Sequence, residues 1–244
     1  MDKVFEISPR QAKILAAIVK EYCETSEPVA SKELVEKYGF DISGATVRNE
    51  MQVLEKSGFI THPHTSAGRI PTDKGFRYFV NVLMEKVRLS AKEQERLRRE
   101  VLKLQAANVE ITRRLARLMT EVSGSASFAL FPEDSSAVGI SKLLENPKLT
   151  QADAKAVADF FDNIDERAPE LLKEYGEARE TKAVIGGEVK EVSLAQNSDY
   201  SMIVSGLKLP SGKKGVLGLI GPKNMQYEKN LSIMEYISKL LSFK

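Results

Sequence analysis

Pro63-His-Thr-Ser-Ala-Gly-Arg-Ile-Pro-Thr72 decides the fold of the first part of this chain. The stretch is polar and turn-forming, it carries His64 and Arg69, and His62 stands just before it. It separates a short apolar run, Phe59-Ile-Thr61, from a helical pattern opening at Thr72 with Phe76, Phe79, Val80 and Leu83 on one side. Pro63 and Pro71 confine strand pairing to the flanks, because proline has no N–H to give a ladder. Gly68 permits a tight tip. Standing alone, such a stretch is only a connection. Directly behind a helix-turn-helix it is a wing.

The residues upstream supply that helix-turn-helix. Pro9 suits the first turn of a helix that repeats Ile14, Leu15, Ile18, Val19 and Tyr22 at helical spacing. A second helix opens with Ser31 as its cap and buries Leu34, Val35 and Tyr38. Gly39 fits the left-handed position past its end. After the turn Gly39-Phe-Asp-Ile42, Ser43 caps a third helix that runs to about Ser57 and stops at Gly58. Two short helices joined by a glycine-containing turn of about four residues form the helix-turn-helix pattern.

Projected at about 100° per residue, the third helix buries Val47, Met51 and Leu54. Its opposite face is Ala45, Asn49, Gln52 and Lys56, flanked by Thr46 and Arg48. On an isolated helix such a face is ordinarily just solvated. The preceding helix and the following wing turn it toward a major groove, where asparagine or glutamine pairs with adenine and arginine with guanine. Ala45 lets the helix approach closely, and a capped amino terminus favours phosphate. Arg48, Asn49 and Gln52 are the candidates for base contact. Ser43, Thr46, His64, Thr65, Ser66 and Arg69 are the candidates for phosphate or wing contact, with Arg69 near the tip and in reach of a narrow minor groove. Metal chemistry lacks ligands, since His62 and His64 are the only histidines and Cys23 the only cysteine. No cofactor is expected.

At these residues the sequence resembles the bacterial heat-inducible transcription repressors, the HrcA family. The matching segments are Glu27-Pro-Val-Ala-Ser-Lys32, Ser43-Gly-Ala-Thr-Val-Arg-Asn-Glu-Met51 and, above all, Pro63–Thr72. The resemblance resumes at Gly139-Ile-Ser-Lys-Leu-Leu-Glu-Asn-Pro147, and at Gly215-Val-Leu-Gly-Leu-Ile-Gly-Pro222 followed by Met225 and Tyr227. It implies a winged-helix domain joined to a GAF-like domain. It also implies a homodimer on the inverted-repeat operator of chaperone operons, repression relieved by heat, and a GroE-type chaperonin as partner. Family members usually carry a sizeable insertion in the GAF-like domain that helps them dimerise. Here Phe128-Ala-Leu-Phe131 reaches Val138-Gly139 through only Pro132-Glu-Asp-Ser-Ser-Ala137. A short variant without the insertion is therefore expected, and the family's dimer geometry does not carry over.

Ser90–Val122 reads as one long helix. Leu97, Leu104, Ile111 and Leu118 fill one heptad position, and Val101, Asn108, Leu115 and Val122 the other. A single asparagine in such a seam fixes a two-stranded register, which makes Leu97, Val101, Leu104, Asn108, Ile111, Leu115 and Leu118 candidates for dimerisation. The same spacing serves a helix lying on its own domain's sheet, and both readings stay open. Strands follow at Ala126–Phe131, Lys182–Gly186, Ser201–Ser205 and Val216–Ile220, the last two joined through the turn-rich Pro210–Gly215. Helices are expected at Thr150–Ile164, with Thr150 and Asp153 placed for capping, and from Tyr227 through Leu241. The fold class is multidomain α+β: a winged helix-turn-helix over 1–88, a linker and dimerisation helix over 89–125, and a GAF-like α+β domain over 126–244.

Bulk properties bound this reading. A chain of 244 residues exceeds the usual size of one core, and 42% hydrophobic with 29% charged residues argues against disorder. Net charge is only +2, so a nucleic-acid partner must be met by a local patch. Residues 89–125 hold 8 Lys and Arg against 5 Asp and Glu, whereas 126–181 hold 6 against 12. The acidic run Asp162, Asp165, Glu166, Glu170 and Glu174 reads as a solvated helix face. No apolar run approaches the roughly 18 residues of a membrane span. With no apparent signal peptide and a single cysteine, a cytoplasmic setting is expected. With no histidine after His64 and no phosphate-binding glycine motif, an enzyme is not expected. The function that follows is a repressor binding double-stranded DNA as a homodimer. The alternatives are a regulator whose GAF-like domain senses a small molecule, and a winged helix used for protein contact.

Overall fold

The computed structural model describes residues 7–63, 68–85, 87–107, 111–145, 151–178, 180–192, 199–209 and 212–242. The chain divides into two units, Met1–Glu85 and Lys86–Lys244, so the segment 89–125 belongs with the sheet domain rather than standing as a separate linker.

In the first unit α1 (Pro9–Thr25) starts at a reciprocal cap. Ser8 Oγ accepts from Gln11 N at 3.2 Å and Gln11 Oε1 accepts from Ser8 N at 2.9 Å. Ile14, Leu15, Ile18, Val19 and Tyr22 are buried on one face, as their spacing requires. Helix α2 (Ser31–Tyr38) begins one residue earlier than expected: Ala30 is the cap residue, and the Glu33 carboxylate accepts from its N–H at 3.1 Å. Ser31 is thus the first helical residue and not the cap. Gly39 ends α2 in the left-handed region at φ 62°. Helix α3 (Gly44–Lys56) is capped by Ser43 Oγ, which accepts from Thr46 N at 3.1 Å, and it buries Val47, Met51 and Leu54 completely.

Two short strands follow, β1 (Ile60–Thr61) and β2 (Ile70–Pro71), antiparallel with Ile60 opposite Pro71. Helix α4 (Asp73–Tyr78) is capped by Thr72 and continues through a π-helical turn, Phe79–Leu83. The order of three helices, strand, loop and strand is that of a winged helix. His64, Thr65 and Ser66 lie outside the described residues.

The second unit is built on one antiparallel sheet of order β4-β3-β7-β6-β5. Its strands are β3 (Ala126–Phe131), β4 (Asp134–Val138), β5 (Lys182–Ile185), β6 (Tyr200–Lys208) and β7 (Lys214–Pro222). Side chains alternate across it. On one face Phe128, Leu130, Tyr200, Met202, Val204, Val216 and Ile220 join α7 (Ile140–Leu144), α8 (Gln151–Asp162) and α9 (Ile164–Tyr175) in a buried core. On the other face Ser127 Oγ donates to Ala116 O in α6 (Ile111–Ser123), and Tyr227 of α10 (Tyr227–Ser242) donates to Ser201 Oγ at 2.8 Å. Helices on both faces of an antiparallel sheet give the GAF-like α+β arrangement.

Several expectations are corrected. Residues 90–122 do not form one helix: α5 (Ala91–Ala107) and α6 pack against each other, and both touch α10. Leu97, Val101, Leu115 and Leu118 are 3%, 1%, 0% and 7% exposed within the single chain, so they are occupied by its own interior and not by a partner's seam. Leu104 and Ile111 are half-buried, and Asn108 lies outside the described residues. A 4,3 repeat reports only that one stripe is apolar, and a sheet with a neighbouring helix covers that stripe as well as a second chain does. The connector Pro132–Ala137 is a hairpin whose turn is Pro132-Glu133, with Phe131 opposite Asp134, so nothing is inserted between β3 and β4. The expected 150–164 helix is α8, followed by α9, and Thr150 and the Asp153 side chain lie outside the described residues. So do Pro210 and Ser211 of the expected turn. Among the described residues no helix is long and apolar enough to cross a membrane.

One glycine tests the packing of the first unit. A Cβ on Gly75 would meet the Phe59 carbonyl oxygen at 2.1 Å, whereas one on Gly44 meets nothing within 4 Å. Gly75→Ala is expected to destabilise by about 1–3 kcal/mol, as overpacking against backbone does, and Gly44→Ala to cause no loss. Urea unfolding followed by circular dichroism checks this, and equal midpoints for the two variants would refute it.

Candidate nucleic-acid interface

Helix α3 presents the face its sequence foretells. Ala45, Arg48, Asn49, Gln52 and Lys56 are exposed, and Thr46 is half-buried against the cap, with its Oγ1 3.0 Å from Ser43 Oγ. Ser43 itself is exposed. Val53 belongs to the same face at 46% exposure and is absent from the sequence-predicted set, which holds only polar side chains and Ala45. Its spacing of four from Asn49 was the available signal. An exposed valine there is of the kind that meets a thymine methyl.

The acids of α3 are turned away from that face and engaged. Glu50 accepts from Gln11 Nε2 at 2.9 Å and pairs with Arg10 at 3.4 Å, which fastens α3 to α1. Glu55 pairs with Arg69 at 3.2 Å and lies 3.3 Å from His62 Nε2. Arg48 and Lys56 make no ion pair among the described residues. A helix with two acids and two bases therefore shows mainly its bases on its outer face.

Arg69 corrects the sequence reading. It was placed near the wing tip and in reach of phosphate. Instead it is 8% exposed, its guanidinium is held by Glu55, and its backbone exchanges both hydrogen bonds with Val29 at 2.9 Å. The stretch after Gly68 is thus the wing's root, pinned by a single β-bridge to the loop between α1 and α2. Gly68 is required there, since a Cβ would meet the Val29 carbonyl group at 2.6 Å. Sequence alone does not reveal that a wing arginine has an acid fourteen residues earlier as its partner.

The surroundings of α3 are stiffened by similar contacts. Lys74 donates to Ser57 O at 2.7 Å and lies 4.3 Å over the Phe59 ring. Lys37 bridges Glu21 and Glu24 at 2.7 and 2.8 Å, and those hydrogen bonds raise its pKa. Beside it, burial first and the Glu21 charge next push Tyr38 up to about 12. Both hold α2 to α1, the frame on which α3 sits.

Comparison with known proteins gives consistent results. The family model described as HrcA protein C terminal domain matches residues 71–231, more than half of the chain. The Ribonuclease R winged-helix domain matches residues 13–79. A heat-inducible transcription repressor HrcA of Cutibacterium acnes is 45% identical over 127 residues, 52% of this chain and 37% of that protein. The protein of the same name from Roseiflexus castenholzii is 50% identical over 95 residues, 39% and 26% of the two chains. The matched segments thus span only 37% and 26% of these two relatives. A crystal structure of a hypothetical protein superposes with a TM-score of 0.71 at 20% identity, over 97% of this chain and 96% of that one, which shows a shared fold.

The ion pair at the wing root carries a prediction. Removing Glu55 leaves the largely buried Arg69 guanidinium without its acid, and removing Arg69 deprives Glu55 of its charged partner, so Glu55→Ala and Arg69→Ala are each expected to destabilise by about 1–3 kcal/mol. The double variant should fall short of the sum by about 0.5–3 kcal/mol. Strict additivity in a double-mutant cycle by chemical denaturation would show that the two groups do not depend on each other.

Proposed function

The chain belongs to the HrcA family, and from that premise we propose that it is a transcriptional repressor that binds double-stranded DNA. In this reading it acts as a homodimer on an inverted-repeat operator of heat-shock (chaperone) operons. The observation that carries it is the outer face of α3, where Arg48, Asn49 and Gln52 stand exposed while both acids of the helix are engaged elsewhere. Arg48 reads guanine, and Asn49 and Gln52 read adenine, through bidentate pairs in the major groove. Ser43, Thr46 and Lys56 meet phosphate, Ala45 gives the helix its close approach, and His64, Thr65 and Ser66 contact the backbone from the wing. Arg69 has no part in this contact. Its role is to hold the wing's root.

One winged helix reads one half-site, and two of them on an inverted repeat supply the specificity that one lacks. The buried state of Leu97, Val101, Leu115 and Leu118 leaves dimerisation to other surfaces of the chain. Heat-relieved repression and a GroE-type chaperonin as partner enter this proposal with the family.

Arg48→Ala is expected to weaken binding to the operator by about 1–3 kcal/mol while leaving binding to random duplex nearly unchanged. Footprinting the purified protein on the DNA upstream of its own gene locates the operator, and titrations on that site and on a scrambled one make the comparison. Equal losses on both would remove Arg48 from the base-reading set. Absence of any protected inverted repeat would refute the repressor reading itself.

A further inference from the structure

Resting on the reading that this chain binds DNA, we propose that the arginines on the outer faces of α5 and α6 make a second, sequence-independent contact with the phosphate backbone of duplex DNA. Arg96, Arg98 and Arg99 on α5 and Arg113, Arg114 and Arg117 on α6 are all exposed. None of the six makes an ion pair or hydrogen bond among the described residues. Elsewhere in the same unit cations do find acids: the exposed Lys213 pairs with Glu133 at 2.7 Å, and the half-buried Lys223 and Arg167 pair with Asp199 at 3.2 Å and Asp159 at 2.8 Å. Within α5 itself Glu100 pairs with Lys103 and not with an arginine.

On α6 the three arginines form a narrow stripe opposite the buried Leu115, Leu118 and Met119. Arg113 and Arg117 are one turn apart with Arg114 beside them. Like charges at that spacing destabilise a helix by a few tenths of a kcal/mol, so the stripe is not there for the helix's sake. The acids exposed near it, Glu95 on α5 and Glu121 on α6, pair with none of the six.

The chemistry selects the partner. Arginine presents a planar fork that matches phosphate oxygens in pairs and stays charged at any physiological pH. Neither helix contains an aromatic residue, so unstacked bases of a single strand find no platform here. A protein partner needs buried apolar or aromatic anchors, and Leu102 is the only large apolar side chain exposed on either helix. A duplex backbone needs neither, and this stripe lies on the same polypeptide as the α3 face.

The test measures the affinity of the full chain for a random-sequence duplex several helical turns long, by fluorescence anisotropy across a salt series. The variants are Arg113→Gln/Arg114→Gln/Arg117→Gln, the same three positions to Lys, and Lys208→Gln/Lys213→Gln/Lys214→Gln, which removes the same charge from the facing ends of β6 and β7. The expected result is that the glutamine triple variant lowers the slope of log Kobs against log salt by about two to three, since each phosphate contact contributes about 0.9. The triple variant to lysine and the control variant in β6 and β7 should keep the wild-type slope. If the wild type binds and the glutamine variant's slope does not move, the proposal is overturned and the DNA-binding reading stands. A glutamine variant weaker at every salt concentration by the same factor overturns it too, because a lost contact must change the slope. A wild type that binds no duplex at any salt overturns both.

Discussion

The first unit depends on the Glu55 carboxylate. It sits on α3, accepts from the guanidinium of Arg69 and lies within reach of His62, so one acid ties α3 to both flanks of the wing. A largely buried guanidinium left without its acid is costly, and this makes the arrangement all-or-none. Arg69 in turn exchanges backbone hydrogen bonds with Val29, ahead of α2, and Gly68 leaves room for that approach. Three segments distant in sequence are thereby fixed together: the loop after α1, the end of α3 and the root of the wing. Phe59, clasped by Thr72 and Gly75 through its carbonyl oxygen, extends the same fastening to α4.

The second unit is organised by alternation. Every second residue of β3 and β6 enters the core shared with α7, α8 and α9, and the intervening ones meet α6 and α10. A sheet covered on both faces reads as a nearly continuous apolar strand, as Ala126–Phe131 does. Serines on the α6 and α10 side are satisfied individually, Ser127 by Ala116 O and Ser201 by Tyr227. Glycine takes part as well: the Phe128 ring lies over Gly218 so closely that a Cβ would meet it at 2.0 Å. The pair Gly218 and Phe128 is a register mark, since the two are directly opposite in the β3–β7 ladder.

What the sequence made legible was whatever is written locally. Ser43 and Thr72 cap their helices because a hydroxyl three residues before a free N–H is a local device. Gly39 and Gly58 stop theirs because each adopts positive φ. The outward set on α3 followed from periodicity alone. What stayed hidden depends on partners far along the chain. The destination of Arg69 rests on an acid fourteen residues away and a backbone forty residues away. The break between α5 and α6 leaves the apolar repeat unchanged on either side, so the repeat carries no sign of it. Strand β4 is short and polar, Asp134–Val138, because it lies at a sheet edge, and no hydrophobic pattern announces it. Helix α9 contains Pro169, which reads as a breaker in isolation and is tolerated when the flanking Ile164, Ala168 and Leu171 are buried.

Charge counting fails here for the same reason. Residues 1–88 hold nearly equal numbers of acids and bases, which taken alone suggests a surface indifferent to a polyanion. The acids are not distributed like the bases. Glu21 and Glu24 hold Lys37, Glu50 holds Arg10 and Gln11, and Glu55 holds Arg69, so these four acids bind the elements to one another. Arg48 and Lys56 are left on the outer face of α3. Net charge measures a sum, whereas a phosphate backbone meets a surface, and folding decides which charges remain on it. The same sorting leaves six arginines on α5 and α6 without an ion pair among the described residues, while lysines elsewhere in that unit find acids. Where a fold engages its carboxylates in internal ties, a nearly neutral sequence still presents a cationic face.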